Sequence, residues 1–458
     1  MLTDTIAAIA TPLGEGGLAV IRLSGSAALS VADNSFRPVG KSSSKPSEAL
    51  THTLHYGKVV HDGRDVDEVM LAVLRAPRTF TREDVVEITC HGGLLATKLV
   101  LDTVLANGAR LAQPGEFTKR AFLNGRLDLA QAEAVADLIH ARTELALTAA
   151  NEQLAGRLSQ RINLLRDEMV ATLAHVEAHI DFPDEDIAAD TKEKLIARLA
   201  SGLAFMDELL RTADEGQILR RGIRAAIIGR PNAGKSSLLN QLLGHDRAIV
   251  SHIAGTTRDT IEETANIRGI PVVFVDTAGL RDAGDVIEQE GIRRTRAMVA
   301  KAELILHVLA ADEPLSTEDE RFLAEFAGKK RILIRNKTDL SVKLELPPPF
   351  SEKAVVVNVS CLTAAGIEPL KDAIKELFWA GEIKAEMLQA MINSRHQDAL
   401  RRARTATERT ITALREGITL ELAALDLRIG VNAVGEIVGK TTTEDLLDSI
   451  FSQFCLGK

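Results

Sequence analysis

The spacing of apolar residues divides the chain into four stretches. Residues 1–116 alternate short apolar runs with turn residues, which predicts an α+β domain. Residues 117–216 and 379–458 place apolar residues three and four positions apart, which is typical of amphipathic helices. Residues 217–378 contain apolar runs that end in glycine-rich or polar loops, which indicates a doubly wound α/β domain.

Within the first stretch, four apolar runs predict strands at 5–10, 18–23, 69–74 and 85–89. A helical pattern follows Gly93, and residues 41–47 predict a loop. We interpret Cys90-His91-Gly92-Gly93 as a strand-to-helix turn rather than a nucleophile, because neighbouring residues of a strand point to opposite faces.

The helical stretches each offer one apolar stripe. Spacing from 154 to 180 predicts one long helix, which Pro183 ends because proline lacks an amide donor. A second helix is predicted from Asp190, and helical spacing returns from about Glu382 to the end. Two separate bundles are possible. One discontinuous bundle with the α/β domain inserted is favoured, because it buries more surface in one core.

The α/β stretch contains a phosphate-binding signature. An apolar run at 223–228 precedes a glycine loop and a helical pattern that begins at Ser237. The loop and the first helical residue read Gly229-Arg230-Pro231-Asn232-Ala233-Gly234-Lys235-Ser236-Ser237. Glycines allow amide groups to approach phosphate closely, Lys235 would reach the β- and γ-phosphates, and the Ser236 hydroxyl would hold Mg²⁺.

Three later motifs follow in the order that a guanine nucleotide switch needs. Asp276-Thr277-Ala278-Gly279 follows a strand predicted at 271–275, where the carboxylate can hold Mg²⁺ through water. Asn336-Lys337-Thr338-Asp339 follows a strand at 331–334, and Asp339 can accept both guanine N1–H and N2–H. Ser360-Cys361-Leu362 follows a strand at 354–359, and its backbone would line one side of the base. The nucleotide is therefore predicted to be GTP.

Residues 251–259 lie between the phosphate loop and Asp276, and Thr257 is their predicted Mg²⁺ ligand. The predicted GTP contacts are Asn232, Ala233, Gly234, Lys235, Ser236, Ser237, Ser251, His252, Ile253, Ala254, Gly255, Thr256, Thr257, Asp276, Thr277, Ala278, Gly279, Asn336, Lys337, Asp339, Ser360, Cys361 and Leu362.

Leu280 stands where many small GTPases have a water-orienting glutamine, so another group must orient the attacking water. The candidates are Asp282, Asp285, Glu288 and Glu290. Arg258, a partner's arginine or a monovalent ion could neutralise the transition-state charge.

Composition adds limits. The chain has 458 residues, which suggests about three domains, and 45% are hydrophobic. No apolar run could span a bilayer and no signal peptide is evident, so a cytoplasmic protein is expected. Three distant cysteines argue against disulfides and zinc. With a net charge of -9, RNA contact would need local clusters such as Arg401-Arg402-Ala403-Arg404, for which a solvated helix face is the favoured interpretation.

Several stretches outside the GTPase motifs resemble the bacterial MnmE (TrmE) family of the TrmE-Era-EngA-like GTPase superfamily. They read Gly115-Glu116-Phe117, Arg120-Ala121-Phe122-Leu123-Asn124-Gly125, Leu127-Asp128-Leu129, Gln131-Ala132-Glu133-Ala134, Ile180-Asp181-Phe182-Pro183 and Phe454-Cys455-Leu456-Gly457-Lys458. The resemblance covers essentially the whole chain.

The resemblance implies an α+β N-terminal folate-binding and dimerisation domain at 1–116, a discontinuous α-helical bundle at 117–216 and 379–458, and an inserted α/β Ras-like P-loop GTPase domain at 217–378. It also implies a homodimer that forms a heterotetramer with MnmG (GidA), an FAD-dependent partner. Together they would form the (carboxymethyl)aminomethyl group at C5 of the tRNA wobble uridine. A tetrahydrofolate, 5-formyl or 5,10-methylene, would supply the one-carbon unit.

Residue roles carry over from the same resemblance. K⁺ would be held by Asn232, Ser251, Ile253 and Thr256, which answers the search for a neutralising cation. An ungapped alignment from Asp276 assigns the water-positioning role to Glu288. The folate contacts would be Arg22, Glu87, Arg126 and Lys458, and Arg126 stands where some members have lysine.

Two alternatives stay open. Cys455 could be a thiolate that adds to uridine C6, or a small apolar residue buried near the C-terminus. The protein could instead be a switch that docks on ribosomal RNA, as Era- and Der-like proteins do. Those proteins typically add a KH-type module, whereas this sequence ends in helices, so the tRNA-modifying enzyme is favoured.

Overall fold

The computed structural model describes residues 4–40, 44–181, 189–244, 262–275, 296–351, 354–379 and 385–458. Two sheets and one helical body make up these residues. The fold class expected from the sequence is confirmed. The boundaries at 116, 216 and 378 stay predictions.

A seven-stranded sheet in the order β3-β4-β5-β6-β2-β1-β7 forms the N-terminal region. The strands are Ile6–Ile9, Gly16–Ser24, Phe36–Pro38, Thr53–His61, Arg64–Leu74, Val85–Gly92 and Arg110–Leu111, numbered β1 to β7. Helices α1 (Ala28–Ser35) and α2 (Leu94–Ala106) contribute to the same apolar core. The four predicted strands are confirmed. β4 was missed because its alternating exposed side chains leave no apolar run. Cys90 is buried and His91 exposed, as predicted for neighbours on a strand.

The first set of helices follows this sheet. Its members are α3 (Glu116–Leu123), α4 (Leu129–His140), α5 (Glu144–Leu154), α6 (Arg157–Asp181), α7 (Ala189–Arg211) and α8 (Ala213–Arg221). α4 begins where the Asp128 carboxylate accepts from the Gln131 amide at 2.9 Å, a reciprocal capping box. α6 buries the predicted stripe, which includes Leu158, Ile162 and Leu165. Phe182 and Pro183 lie outside the described residues.

The last helices return to the same body. They are α13 (Ala385–Leu388), α14 (Ser394–Glu416), α15 (Leu420–Val438) and α16 (Glu444–Phe451). One core contains the α6 stripe, Leu195 and Leu199 of α7, and Leu400 and Leu427 of the later helices. The discontinuous bundle is therefore confirmed. The arginine cluster lies on α14, where Arg402 pairs with Glu436 and Arg404 with Asp207, as expected of a solvated helix face.

A buried polar network joins the two halves of this bundle. Glu133 of α4 accepts two bonds from Arg395 of α14, at 2.8 and 2.9 Å, and one from Asn393 at 3.0 Å. His396 Nε2 lies 2.8 Å from Glu133 and 2.9 Å from Arg395 Nη2, and the main-chain amide of Asn393 donates to His396 Nδ1 at 3.4 Å. Although burial opposes ionisation, His396 and Arg395 hold the pKa of Glu133 well below its usual range.

Between the halves lies a six-stranded sheet in the order β13-β12-β11-β8-β10-β9. Its strands are Ile223–Ile228, Glu263–Ile267, Ile270–Phe274, Leu304–Ala310, Arg331–Asn336 and Val355–Asn358, numbered β8 to β13. The helices described in this domain are α9 (Lys235–Leu243), α10 (Thr317–Glu325), α11 (Pro348–Ser351) and α12 (Ile367–Phe378). The pairs are parallel except β9 with β10. The carboxyl ends of the parallel strands therefore share one edge, where the nucleotide motifs lie.

Helix α5 fixes the inserted sheet to the helical body. Its Ala146 and Ala149 belong to the core of the inserted domain, and Leu145 packs against Gly269 in the β9–β10 turn. Arg142 donates to the Thr264 hydroxyl of β9 at 2.6 Å. The described part of the chain has no helix long and apolar enough to cross a membrane.

Candidate functional site

The phosphate loop lies where β8 ends and α9 begins, as the sequence predicts. Gly234 has φ of +99°, and a Cβ there would lie 2.0 Å from Asn336 Nδ2, so glycine is required. Asn232 is exposed, with φ of +64°, a conformation that asparagine tolerates. Ser236 and Ser237 lie exposed in the first turn of α9. The amides of this turn therefore face the space where an anion would bind.

Lys235 is held across the loop by the main chain. Its Nζ donates to the carbonyl oxygens of Gly229 and Arg230, both at 2.8 Å. Burial lowers the pKa of the Lys235 ammonium. A phosphate chain that follows the loop would meet this restrained cation, which agrees with the role predicted for Lys235.

Asn336 joins the phosphate loop to the loop predicted to bind the base. Its Nδ2 donates to the Ala233 carbonyl at 2.8 Å, and its Oδ1 accepts from the Cys361 amide at 3.1 Å. Asn336 is buried at the end of β12, so this bridge is shielded from water. The two predicted halves of the nucleotide site are thus brought together by one side chain.

Asp339 lies exposed beside this bridge, as its predicted role in recognising guanine requires. The Ser360 hydroxyl donates to Asp339 Oδ1 at 2.5 Å and fixes its orientation. Burial, with a smaller contribution from Asp339, raises the pKa of the Cys361 thiol to about 11, so that thiol stays protonated. Gln241 of α9 donates to the Cys361 carbonyl at 2.8 Å. Sequence reasoning missed Gln241, because the sequence of a helix does not predict which distant loop it contacts.

We expect Asp339→Asn to weaken GTP binding by about 100-fold, since two charge-assisted hydrogen bonds to the base are lost or reversed. Xanthosine triphosphate should bind better than GTP, because its C2 carbonyl can accept from the new amide. Titration with fluorescent nucleotides measures both affinities. Ser360→Ala is the matched control: it removes only the orienting bond, so a loss of a few-fold with guanine preference intact is expected. An Asp339→Asn variant that still prefers GTP would contradict the assignment.

The GTP-site predictions that lie outside the described residues are Ser251, His252, Ile253, Ala254, Gly255, Thr256, Thr257, Asp276, Thr277, Ala278, Gly279 and Glu288. The described strands flank them: β9 begins at Glu263, and β10 ends at Phe274, two residues before Asp276. Arg258 and the other acidic candidates near Glu288 also lie outside. These roles stay predictions.

The predicted folate residues Arg22 and Glu87 form an ion pair. β2 and β6 place them directly opposite each other, and Arg22 Nε donates to Glu87 Oε1 at 2.8 Å. The guanidinium also lies over the Phe117 ring, 5.8 Å from its centroid, and donates to the Gly457 carbonyl at 3.4 Å. That last bond places Lys458, the adjacent residue, close to the pair.

Arg126 lies against the same aromatic region. Its guanidinium stacks over the Phe80 ring at 4.7 Å and donates to the Phe80 carbonyl at 3.1 Å. Phe80 in turn packs against the small cluster that contains Phe117. Sequence reasoning missed both aromatic residues, although Phe117 lies inside the Gly115-Glu116-Phe117 motif that carries the family resemblance. A position within a signature is therefore the signal that could have found it.

The C-terminal segment is docked. A Cβ on Gly457, where φ is +88°, would lie 2.4 Å from the Ile9 carbonyl oxygen, so the tail packs closely on β1. The Gly115 amide donates to the Cys455 carbonyl at 3.4 Å. Cys455 itself is exposed, which corrects the alternative that it is a buried apolar residue. The neighbouring Phe454 fills the buried position instead.

Comparisons with known proteins match both halves of this architecture. A model described as GTP-binding protein TrmE N-terminus matches residues 5–126, and one described as MnmE helical domain matches residues 129–455. The chain belongs to the MnmE family. The MnmE resemblance expected from the sequence is therefore confirmed.

Two relatives illustrate how far the MnmE similarity extends. Proteins named tRNA modification GTPase MnmE from Geobacillus thermodenitrificans and Bacillus subtilis are 50% and 47% identical to this chain over 461 residues. Each alignment covers 99% of this chain, with 99% of the first relative and 100% of the second. The G domain of the T. maritima FeoB iron transporter, a solved structure, is 27% identical over 34% of this chain and 98% of its own, with a TM-score of only 0.25.

Proposed function

We propose that this protein is a GTPase of tRNA modification that hydrolyses GTP to GDP. One observation carries the proposal: in a chain of the MnmE family, buried Asn336 joins a complete phosphate loop to a guanine-recognising loop. Restrained Lys235 and exposed Asp339 supply the phosphate and base contacts. Relatives that span the same length bear the name tRNA modification GTPase.

The proposed modification is formation of the (carboxymethyl)aminomethyl group at C5 of the wobble uridine. The FAD-dependent partner MnmG would supply the redox chemistry, and a tetrahydrofolate would supply the one-carbon unit. The pair Arg22 and Glu87 supports the folate assignment, because a carboxylate matches the amino and ring N–H donors of a pterin. Arg126 and Lys458 would add cations for the glutamyl end.

The proposed homodimer would form through the N-terminal sheet. Leu54, Tyr56 and Met70 lie on one exposed face of β4 and β5, with Tyr56 directly opposite Met70. Exposed apolar side chains side by side on a sheet are typical of an interface, because burying them removes apolar area from water. The two nucleotide domains would then be carried by one dimer, joined through the N-terminal sheets.

Mg²⁺ and K⁺ are the proposed ions. The Ser236 hydroxyl and Thr257 would bind Mg²⁺, and Asn232, with Ser251, Ile253 and Thr256, would bind K⁺. The exposed position of Asn232 in the loop leaves its amide oxygen available to a cation. Glu288 is proposed to position the attacking water. The expected cytoplasmic location stays a prediction.

Replacing K⁺ by Na⁺ should slow GTP hydrolysis at least about tenfold, because transition-state charge is neutralised less well, while GTP affinity changes less than about twofold. Phosphate release and nucleotide titration in matched salts measure the two quantities. Asn232→Gly keeps the backbone conformation but removes the amide ligand, so it should abolish the K⁺ stimulation. Equal rates in K⁺ and Na⁺ would exclude the K⁺ site.

The decisive experiment is tRNA modification reconstituted from this protein, the FAD-dependent partner, GTP and a tetrahydrofolate donor. Mass spectrometry of the nucleosides should show modified wobble uridine only in the complete mixture. A Lys235→Ala variant, which loses a phosphate contact, provides the arm deficient in GTP binding and hydrolysis and should give none. Unmodified wobble uridine in the complete mixture, together with ribosomal RNA precursors accumulating in a deletion strain, would favour the ribosome-docking switch.

A further inference from the structure

Arg82 and Arg126 form a dicationic site beside the folate residues. Arg82 Nη1 donates to the Asn124 carbonyl at 2.9 Å and lies 3.5 Å from the position of a Cβ on Gly125. Arg126 follows Gly125 in the chain and donates to the Phe80 carbonyl. Arginine side chains from two different loops therefore lie on and beside Gly125.

Neither arginine forms an ion pair with a carboxylate in the described residues. The nearby carboxylates have other partners: Glu83 pairs with Arg120, and Asp84 accepts from the Ala76 amide. Burial lowers the pKa of Arg126, and the charge of Arg82 lowers it further. Because each guanidinium bonds a single main-chain carbonyl within the described part of the chain, donors remain for a ligand on both.

A cleft and an aromatic side chain adjoin Arg126. Arg126 lines an open cleft of about 520 Å³ together with Phe122, Leu127 and Gln131. Its other side stacks on Phe80, which packs against the cluster containing Phe117 beneath Arg22. Asp128 also lines the cleft, but its carboxylate caps α4 by accepting from the Gln131 amide. Phe117 is fully buried and Phe80 half-buried, so a molecule recognised at Arg22 and Glu87 would extend over Phe80 toward the two cations.

We propose that Arg82 and Arg126 bind the carboxylates of a γ-linked glutamyl tail, so that the protein prefers tetrahydrofolates with several glutamates over the monoglutamate. This inference rests on the proposed folate function. Each added glutamate brings one carboxylate, and a guanidinium binds a carboxylate through two parallel hydrogen bonds. Arg82 is then a specificity residue that the monoglutamate does not need.

A glutamyl tail fits the site better than an RNA backbone. Both arginine side chains are exposed, and a main-chain carbonyl group fixes each guanidinium, so they present fixed donors to the carboxylates of a thin, flexible ligand. The continuity with Phe80 and Phe117 links the cations to the pterin residues rather than to an isolated surface patch. RNA phosphates at this position are the competing outcome of the test.

The test is calorimetric titration of the full-length protein with the mono- and triglutamate forms of 5-formyltetrahydrofolate. The wild type should bind the triglutamate about tenfold more tightly at low salt, and added salt should reduce the difference. Arg82→Ala should bind both forms with the monoglutamate affinity of the wild type. Arg82→Lys should keep part of the preference. Arg78→Ala, an exposed arginine of the same loop, is the matched control and should behave as the wild type.

Equal affinity of the wild type for the two folates would overturn this inference alone and leave the folate function standing. Absence of binding of both forms would overturn the folate function with it. Weaker tRNA binding by Arg82→Ala, with the glutamate preference unchanged, would assign the cations to RNA and overturn the proposal. Circular dichroism and thermal unfolding of each variant show whether a lost preference reflects lost folding.

Discussion

Gly234→Ala is expected to weaken GTP binding by at least about 100-fold, because the new Cβ would displace the side chain that joins the two nucleotide loops. The Cβ of an alanine at this position would lie 2.0 Å from Asn336 Nδ2, far inside contact distance. Asn336 would have to release the Ala233 carbonyl, and the Cys361 amide would lose its acceptor. Titration with a fluorescent GTP analogue measures the loss.

Gly108→Ala is the matched control for backbone strain. Gly108 has φ of +108°, close to that of Gly234, but a Cβ there meets nothing within 4 Å. Its substitution should cost about 1–2 kcal/mol of stability and leave GTP affinity unchanged. If Gly234→Ala binds GTP as tightly as Gly108→Ala, Asn336 does not hold the two loops in the way described.

Glu133→Gln should lower the free energy of unfolding of the helical body by about 3–5 kcal/mol, because Arg395 would keep its buried charge without a counter-charge. Glu133 is 7% exposed and accepts from Arg395, Asn393 and His396 at once. A neutral amide cannot replace a carboxylate that accepts from all three. Urea unfolding followed by far-ultraviolet circular dichroism measures the loss.

The control for this change is Glu436→Gln, in the same bundle. Glu436 pairs with Arg402 at 2.5 Å, but both side chains are substantially exposed. Water can solvate either charge after the substitution, so the expected loss is below about 1 kcal/mol. Equal losses in the two variants would show that the network around Glu133 is no more important than a surface pair.

The nucleotide motifs could be predicted because each is local. A strand, a loop and a helix that follow one another in sequence determine where Lys235 and Ser236 lie, without information from the rest of the chain. The same argument places Asp339 directly after β12. The folate residues are different. Without the family resemblance, Arg22 and Glu87 are ordinary charges near strand ends, and only the pairing of β2 with β6 places them opposite each other.

Whether an individual side chain is buried or exposed depended on tertiary packing. The sequence alone could not predict whether Cys455 is exposed or buried, because small and apolar residues alternate at the C-terminus. In the structure Phe454 is buried against α4 and α16, which turns Cys455 outward. Helix α5 was predicted as part of the helical body, yet Ala146 and Ala149 also enter the core of the inserted domain.

The sequence by itself determined the phosphate loop, the choice of guanine, the helical stripes and the family, since these depend on residue types at short fixed spacing. Only the tertiary structure decided that Glu133 pairs with Arg395 from the other half of the bundle, that Asn336 bridges two loops, and that Arg82 lies against Gly125, next to Arg126. The reason is physical: partners far apart in the chain meet only when whole apolar surfaces pack. Local spacing carries no information about which surfaces those are.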